Sequence, residues 1–141
     1  MRFLLAAMFV SGCAGTVQIG PAAPDASPTV IGAGATPGNT IVVYRPSSFG
    51  VLTNEFTNPA LLFQGQARGT CRVGAPLVLR VPDGAWTIEA VTEAGRTSSV
   101  VSVRDGDTAY IRCGTDPTPS FGPRPVLTPV ANETGAQEAG L

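Results

Sequence analysis

Between Cys71 and Cys113 the chain alternates apolar and polar residues in short runs, and each run closes at a glycine-bearing turn. Leu77, Leu79 and Val81 fall on one face of an extended segment, with Val78 and Arg80 on the other. In the next run Trp86, Ile88 and Ala90 share a face, while Thr87 and Glu89 point away from it. Val101 and Val103, then Ala109, Ile111 and Cys113, continue the same period. A period of two is the signature of strands buried on one side. The turns Pro82-Asp83-Gly84, Glu93-Ala94-Gly95 and Arg104-Asp105-Gly106-Asp107 recur about every 8–12 residues, as a sandwich or barrel requires. The first of them reads as a tight hairpin that turns the sets around Leu79 and Ile88 toward one core. No window supports a helix of useful length. The fold class is therefore all-β, a small antiparallel sandwich or barrel.

Upstream, Thr40-Ile41-Val42-Val43-Tyr44-Arg45-Pro46 is a β-branched run closed by a proline. Ala60 to Gln64 is a short apolar strand, Gly65-Gln66 a two-residue turn, and Arg68 to Arg72 a return strand leading through Cys71. Ser47 to Asn58 is a longer loop whose Phe49 and Phe56 can tuck under the sheet. The 17 Gly and 13 Pro crowd the ends and the turns, so the ordered body is smaller than the 141 residues.

The amino-terminal stretch has a different logic. Met1-Arg2 is followed by the apolar run Phe3 to Val10 and then Ser11-Gly12-Cys13. One positive charge, a short apolar run and small residues make an export signal too short to span a bilayer as a helix. Val10-Ser11-Gly12-Cys13 resembles the lipobox of bacterial lipoproteins. That resemblance implies cleavage before Cys13, a diacylglyceryl thioether on it and acylation, commonly by palmitate, of the new amino terminus. Ala14 stands where inner-membrane retention usually has aspartate, which implies the outer membrane, facing the periplasm. Two or more acyl chains hold stably, at ~0.8 kcal/mol per buried CH₂. The expected organisation is a signal peptide over 1–12, a lipidated flexible tether over 13–39, the β-domain over 40–113 and a Pro-rich tail over 114–141.

The tether is rich in Ala, Gly and Pro, and as a coil of about 26 residues it spans roughly 28 Å. Gly32 to Gly38 lacks the flanking strand and helix of a phosphate loop. Pro117, Pro119, Pro123, Pro125 and Pro129 make the tail an unfolded or polyproline segment, with docking of Phe121, Val126, Leu127 and Val130 as the alternative.

With Cys13 lipidated, two thiols remain in an oxidising compartment, where an even pair reads as a disulfide between Cys71 and Cys113. A body of some 75 residues buries little over ~60% of its unfolded surface, so the bridge matters to its folding. Two cysteines without histidine fall short of a zinc shell, and their wide spacing offers no redox pair. No metal and no cofactor are expected.

All nine basic residues are arginine; histidine and lysine are absent. Ser-His, Cys-His and Ser-Lys nucleophile pairs are thereby excluded. What remains is carboxylate chemistry, and the acids of the expected body, Glu55, Asp83, Glu89, Glu93, Asp105 and Asp107, sit mostly in turns, where Asp favours local backbone bonds. A net charge of −1 with charges scattered singly offers nucleic acid no basic stripe. Trp86 reads as core, with a sugar-stacking platform as the alternative. Tyr44, Arg45 and Arg112, near strand ends, are the candidate ligand-binding residues; solvation or pairing of the arginines with carboxylates is the competing reading.

Tyr44-Arg45-Pro46 after a tether, Pro82-Asp83-Gly84-Ala85-Trp86 and Ala109-Tyr110-Ile111-Arg112 together resemble uncharacterised bacterial lipoprotein domains. They are also similar to PEGA-type surface domains, across roughly Ile41 to Cys113. The resemblance implies an immunoglobulin-like or transthyretin-like sandwich without catalytic residues. The expected function is a membrane-tethered binding or envelope-assembly module with an envelope protein or glycan as partner. The alternatives are a periplasmic inhibitor of a hydrolase such as lysozyme, blocking through Ser47 to Asn58, and a carboxylate enzyme using Asp83, Asp105 and Asp107.

Overall fold

A computed structural model describes residues 29–30, 38–47, 57–116 and 122–141. The lipobox with Cys13, Gly32 to Pro37, Phe49, Phe56 and Phe121 lie outside the described residues. Among the described residues nine strands and one helix follow in order: β1 (Thr29–Val30), β2 (Thr40–Tyr44), β3 (Ala60–Phe63), β4 (Gln66–Thr70), β5 (Leu77–Arg80), β6 (Gly84–Thr92), β7 (Gly95–Val103), β8 (Thr108–Asp116), β9 (Arg124–Val130) and α1 (Asn132–Ala139). They form two packed sheets, ordered β1-β5-β2-β8-β9 and β4-β3-β6-β7. The pairs β1/β5 and β2/β8 are parallel and the other pairings antiparallel.

The alternating residues fill the space between the sheets. Ile41, Val43, Leu79, Val81 and Ile111 come from the first sheet and its edges; Leu61, Phe63, Ile88, Ala90, Val101 and Val103 come from the second. Burial of each large side chain contributes about 1.5–3 kcal/mol. Trp86 packs against this core and stacks on Phe63 at 5.1 Å between ring centroids. Its indole N–H donates to the Pro82 carbonyl at 3.0 Å, so the ring's polar end is satisfied within the fold.

The structure departs from expectation at four places. Pro82-Asp83-Gly84 is a crossing between sheets, because β5 and β6 belong to different layers; the two apolar sets still meet in one core. The β3–β4 turn is Gln64-Gly65, both with positive φ, one residue earlier than the glycine alone suggested. The segment assigned to the tether contributes Thr29–Val30 as β1, paired with Leu79 and Arg80, and ends in Asn39, whose exposure is 0%. The expected tail over 114–141 contributes more to the body than its composition predicts. Residues 114–116 extend β8, Arg124–Val130 pairs along β8 as β9, and α1 packs back on β8. Pro125 and Pro129 are tolerated because β9 is an edge strand, where a missing donor can face away from the neighbour.

Asn39 holds one end of the sandwich. Its side-chain amide donates to Asp83, in the β5–β6 crossing, and its Oδ1 accepts from the Gly106 N–H at 2.7 Å, in the β7–β8 crossing. Its own carbonyl accepts from Val81 N–H, and the next residue, Thr40, donates to the Asp107 carbonyl at 2.9 Å. One residue thus ties together two of the connections by which the chain passes between layers.

Candidate functional site

The parallel register of β2 and β8 sets Tyr44 opposite Arg112. Residues alternate faces, so Val43 and Ile111 enter the core while Tyr44 and Arg112 emerge on the opposite side of the first sheet. There α1 covers them. The Glu138 carboxylate accepts three hydrogen bonds: from the Tyr44 hydroxyl at 2.7 Å, from Arg112 Nε at 2.9 Å and from Arg112 Nη2 at 2.6 Å. The two guanidinium bonds reach different carboxylate oxygens, the fork geometry that arginine offers and lysine cannot. Tyr110 stands edge-on to Tyr44 at 6.4 Å and forms the neighbouring wall.

The helix reaches this position because residue 135 is glycine. A Cβ there would lie 2.2 Å from Tyr110 Cγ and 2.3 Å from its Cβ, at the root of a side chain that cannot swing aside. Gly135 is the buried residue of α1, and Gly140, at φ 71°, ends the helix with its N–H on the Ala136 carbonyl.

Burial first, and the Glu138 hydrogen bond second, push the Tyr44 phenol up to about 12. The Tyr44 hydroxyl first, and the Arg112 guanidinium second, hold the Glu138 carboxyl below its ordinary value of 4.5. The phenol is therefore a neutral donor and the carboxyl a charged acceptor at neutral pH. A depressed carboxyl contributes stability above its unfolded value and loses it as pH falls through the folded one. A raised phenol contributes below its unfolded value and loses it as pH rises through the folded one. Docking of α1 is expected to be constant from roughly pH 5 to about 10 and to weaken outside that window. Hydrogen exchange of the amides over 132–139, measured across pH and corrected for intrinsic rates, checks this; protection falling steadily between pH 6 and 9 would contradict it.

Of the three candidate ligand-binding residues, the structure brings together Tyr44 and Arg112 and sets Arg45 apart. Arg45 follows Tyr44 on the strand, is 7% exposed and donates from Nη1 to the Thr57 carbonyl at 3.0 Å. Arg112 takes the carboxylate-paired form, and its partner is a residue of the expected tail. Nothing local in the sequence marks Glu138, which lies 94 residues from Tyr44.

The other candidates take structural places. Cys71, just after β4, is disulfide-bonded to Cys113 on β8, with Cα atoms 6.1 Å apart, so the bridge joins the two sheets. Asn39 draws the crossings that carry Asp83 and the Asp105–Asp107 pair to one end, where all three aspartates are exposed. Asp107 borders an open cleft of about 230 Å³ that is also lined by Ser102, Thr108, Tyr110, Val130 and Asn132. Asp83 and Asp105 are not among the residues lining it. Among the described residues no group of three or more cysteine or acidic side chains could hold a metal ion. Most of the Ser47 to Asn58 loop lies outside the described residues.

No protein-family model, no curated protein and no solved structure matches this chain. The geometry of the Tyr44–Arg112–Glu138 cluster therefore stands on its own chemistry. It can hold a carboxylate with three donors; it presents no activated nucleophile.

Proposed function

We propose that this protein is a lipoprotein of the bacterial outer membrane, tethered through Cys13 and facing the periplasm, whose β-sandwich is a non-catalytic module for binding or envelope assembly. The observation that carries this reading is Val10-Ser11-Gly12-Cys13 after a short apolar run with a single arginine. The disulfide between the sheets fits an oxidising compartment. The likeness of the Tyr44-Arg45-Pro46, Pro82-Asp83-Gly84 and Ala109 to Arg112 segments to PEGA-type surface domains supports the same class. A binding role is further supported by Tyr44 and Arg112, donors on a sheet face rather than members of a proton-transfer chain.

The decisive measurement is metabolic labelling with palmitate in a bacterial host, followed by mass spectrometry of the amino-terminal peptide. The native chain is expected to carry label and to begin at an acylated Cys13. Cys13→Ser is expected to lose all label and to leave the membrane fraction. An amino terminus that still begins at Met1, or label that persists in Cys13→Ser, refutes the anchor. Recovery of a specific envelope protein or glycan after crosslinking then tests the binding role, and recovery of neither above background counts against it.

A further inference from the structure

We propose that Tyr44 and Arg112 form a carboxylate-binding site, plugged in this structure by the chain's own Glu138, that accepts a carboxylate of an acidic peptide segment when α1 lifts away. The two halves of the contact differ sharply in rigidity. Arg112 sits on β8 and is paired on both sides, with Tyr44 and Thr128, while Tyr44 closes β2, an interior strand of the same sheet, directly opposite Arg112. They keep their spacing whether or not α1 is docked. The plug is an intrinsically weak element. Eight residues are well below the ~12–15 at which an isolated helix becomes marginal. Gly135 costs about 1 kcal/mol of helix propensity relative to alanine. Ala131 at the N-cap offers no side-chain acceptor, and five of the eight helical residues, Asn132, Glu133, Thr134, Gln137 and Ala136 at half-burial, contribute little packing.

Among the described residues, the approach of Gly135 to Tyr110 and the three bonds to Glu138 are the specific contacts that hold α1 on the sheet. Lifting it uncovers a guanidinium fork and a phenol donor beside the Tyr110 ring. That surface matches a carboxylate carried on a short peptide backbone able to lie against an aromatic wall. The docked helix competes with any such peptide, so apparent affinity falls by the fraction of molecules that are open.

This inference rests on reading the sandwich as a binding module. The test uses purified full-length chain and soluble probes, so its failure removes the site while leaving the Cys13 result untouched. The first probe is a fluorescein-labelled peptide of residues 131–141, amidated at its carboxyl end, which presents side-chain carboxylates. The second carries Glu133→Gln and Glu138→Gln with a free carboxyl terminus. Gly135→Val displaces the plug by collision with Tyr110, and Glu138→Lys does so by repulsion from Arg112. Either variant is expected to bind at least one probe ~10-fold or more tightly than the native chain does, and Arg112→Gln in the same background is expected to abolish the gain. Preference between the probes assigns the carboxylate to a side chain or a chain end. Glu138→Lys alters a partly exposed side chain, so it keeps the comparison available where Gly135→Val disturbs folding. If neither variant binds either probe better than the native chain, or if Arg112→Gln leaves the gain intact, the proposal is overturned.

Discussion

Replacing Cys71 and Cys113 together by alanine is expected to remove ~4 kcal/mol of stability, the chain-entropy value for the loop they close. The sequence separation is 42 residues, and the bridged segment contains β5, β6, β7 and most of β8. In the unfolded chain the bridge restrains all four strands; in the folded chain it ties the edge of one sheet to an interior strand of the other. Both cysteines are 1% exposed and belong to the core, so truncation also leaves a small packing defect. For a domain of this size each kcal/mol moves the melting temperature by about 4–8 °C, so a fall on the order of 15–30 °C is expected. Thermal unfolding followed by circular dichroism, with and without reductant, measures it. A loss below ~1 kcal/mol would mean that the unfolded chain is already compact and the bridge restrains little.

Asn39→Ala is expected to cost about 2–3 kcal/mol, more than a typical substitution. The side chain is fully buried and bonds two separate crossings, so truncation loses the bond to Asp83 and that from Gly106 together. Asp83→Asn is the informative comparison, because Asp83 is exposed and an amide oxygen can still accept from Asn39. Its cost is expected to stay below ~1 kcal/mol. Denaturant unfolding of both variants checks the contrast. Equal losses would place the energy in the Asp83 charge and not in the span between the crossings.

Strand positions and inward faces were readable residue by residue, because alternation and turn chemistry are local properties. Ile88 and Ala90 face inward for the same reason that Thr87 and Glu89 do not. The pairing of strands was less accessible. Pro82-Asp83-Gly84 suits a hairpin as well as a crossing, and only the preference of β5 for β2 and of β6 for β3 and β7 selects the crossing. The carboxyl-terminal segment was obscured by its prolines and Gly135, residues that oppose strands and helices in isolation. At a sheet edge the prolines lose nothing, and against Tyr110 the glycine is required.

The candidate site divides along the same line. Tyr44 and Arg112 stood out as polar residues at the ends of apolar strands, yet Arg45 shared that description and lies on the other side of β2. The acid that completes the cluster, Glu138, sits in a stretch whose composition matches many solvated termini.

By itself the amino-acid order determined an all-β body, its core-facing residues, the pairing of its two internal cysteines, and the absence of histidine and lysine chemistry. These follow from short-range periodicity and from which side chains exist. Only the tertiary structure decided which strands share a layer, that Asn39 joins the crossings, and that α1 brings Glu138 to Tyr44 and Arg112. Those outcomes depend on contacts between residues up to 94 positions apart, whose energies no local window contains.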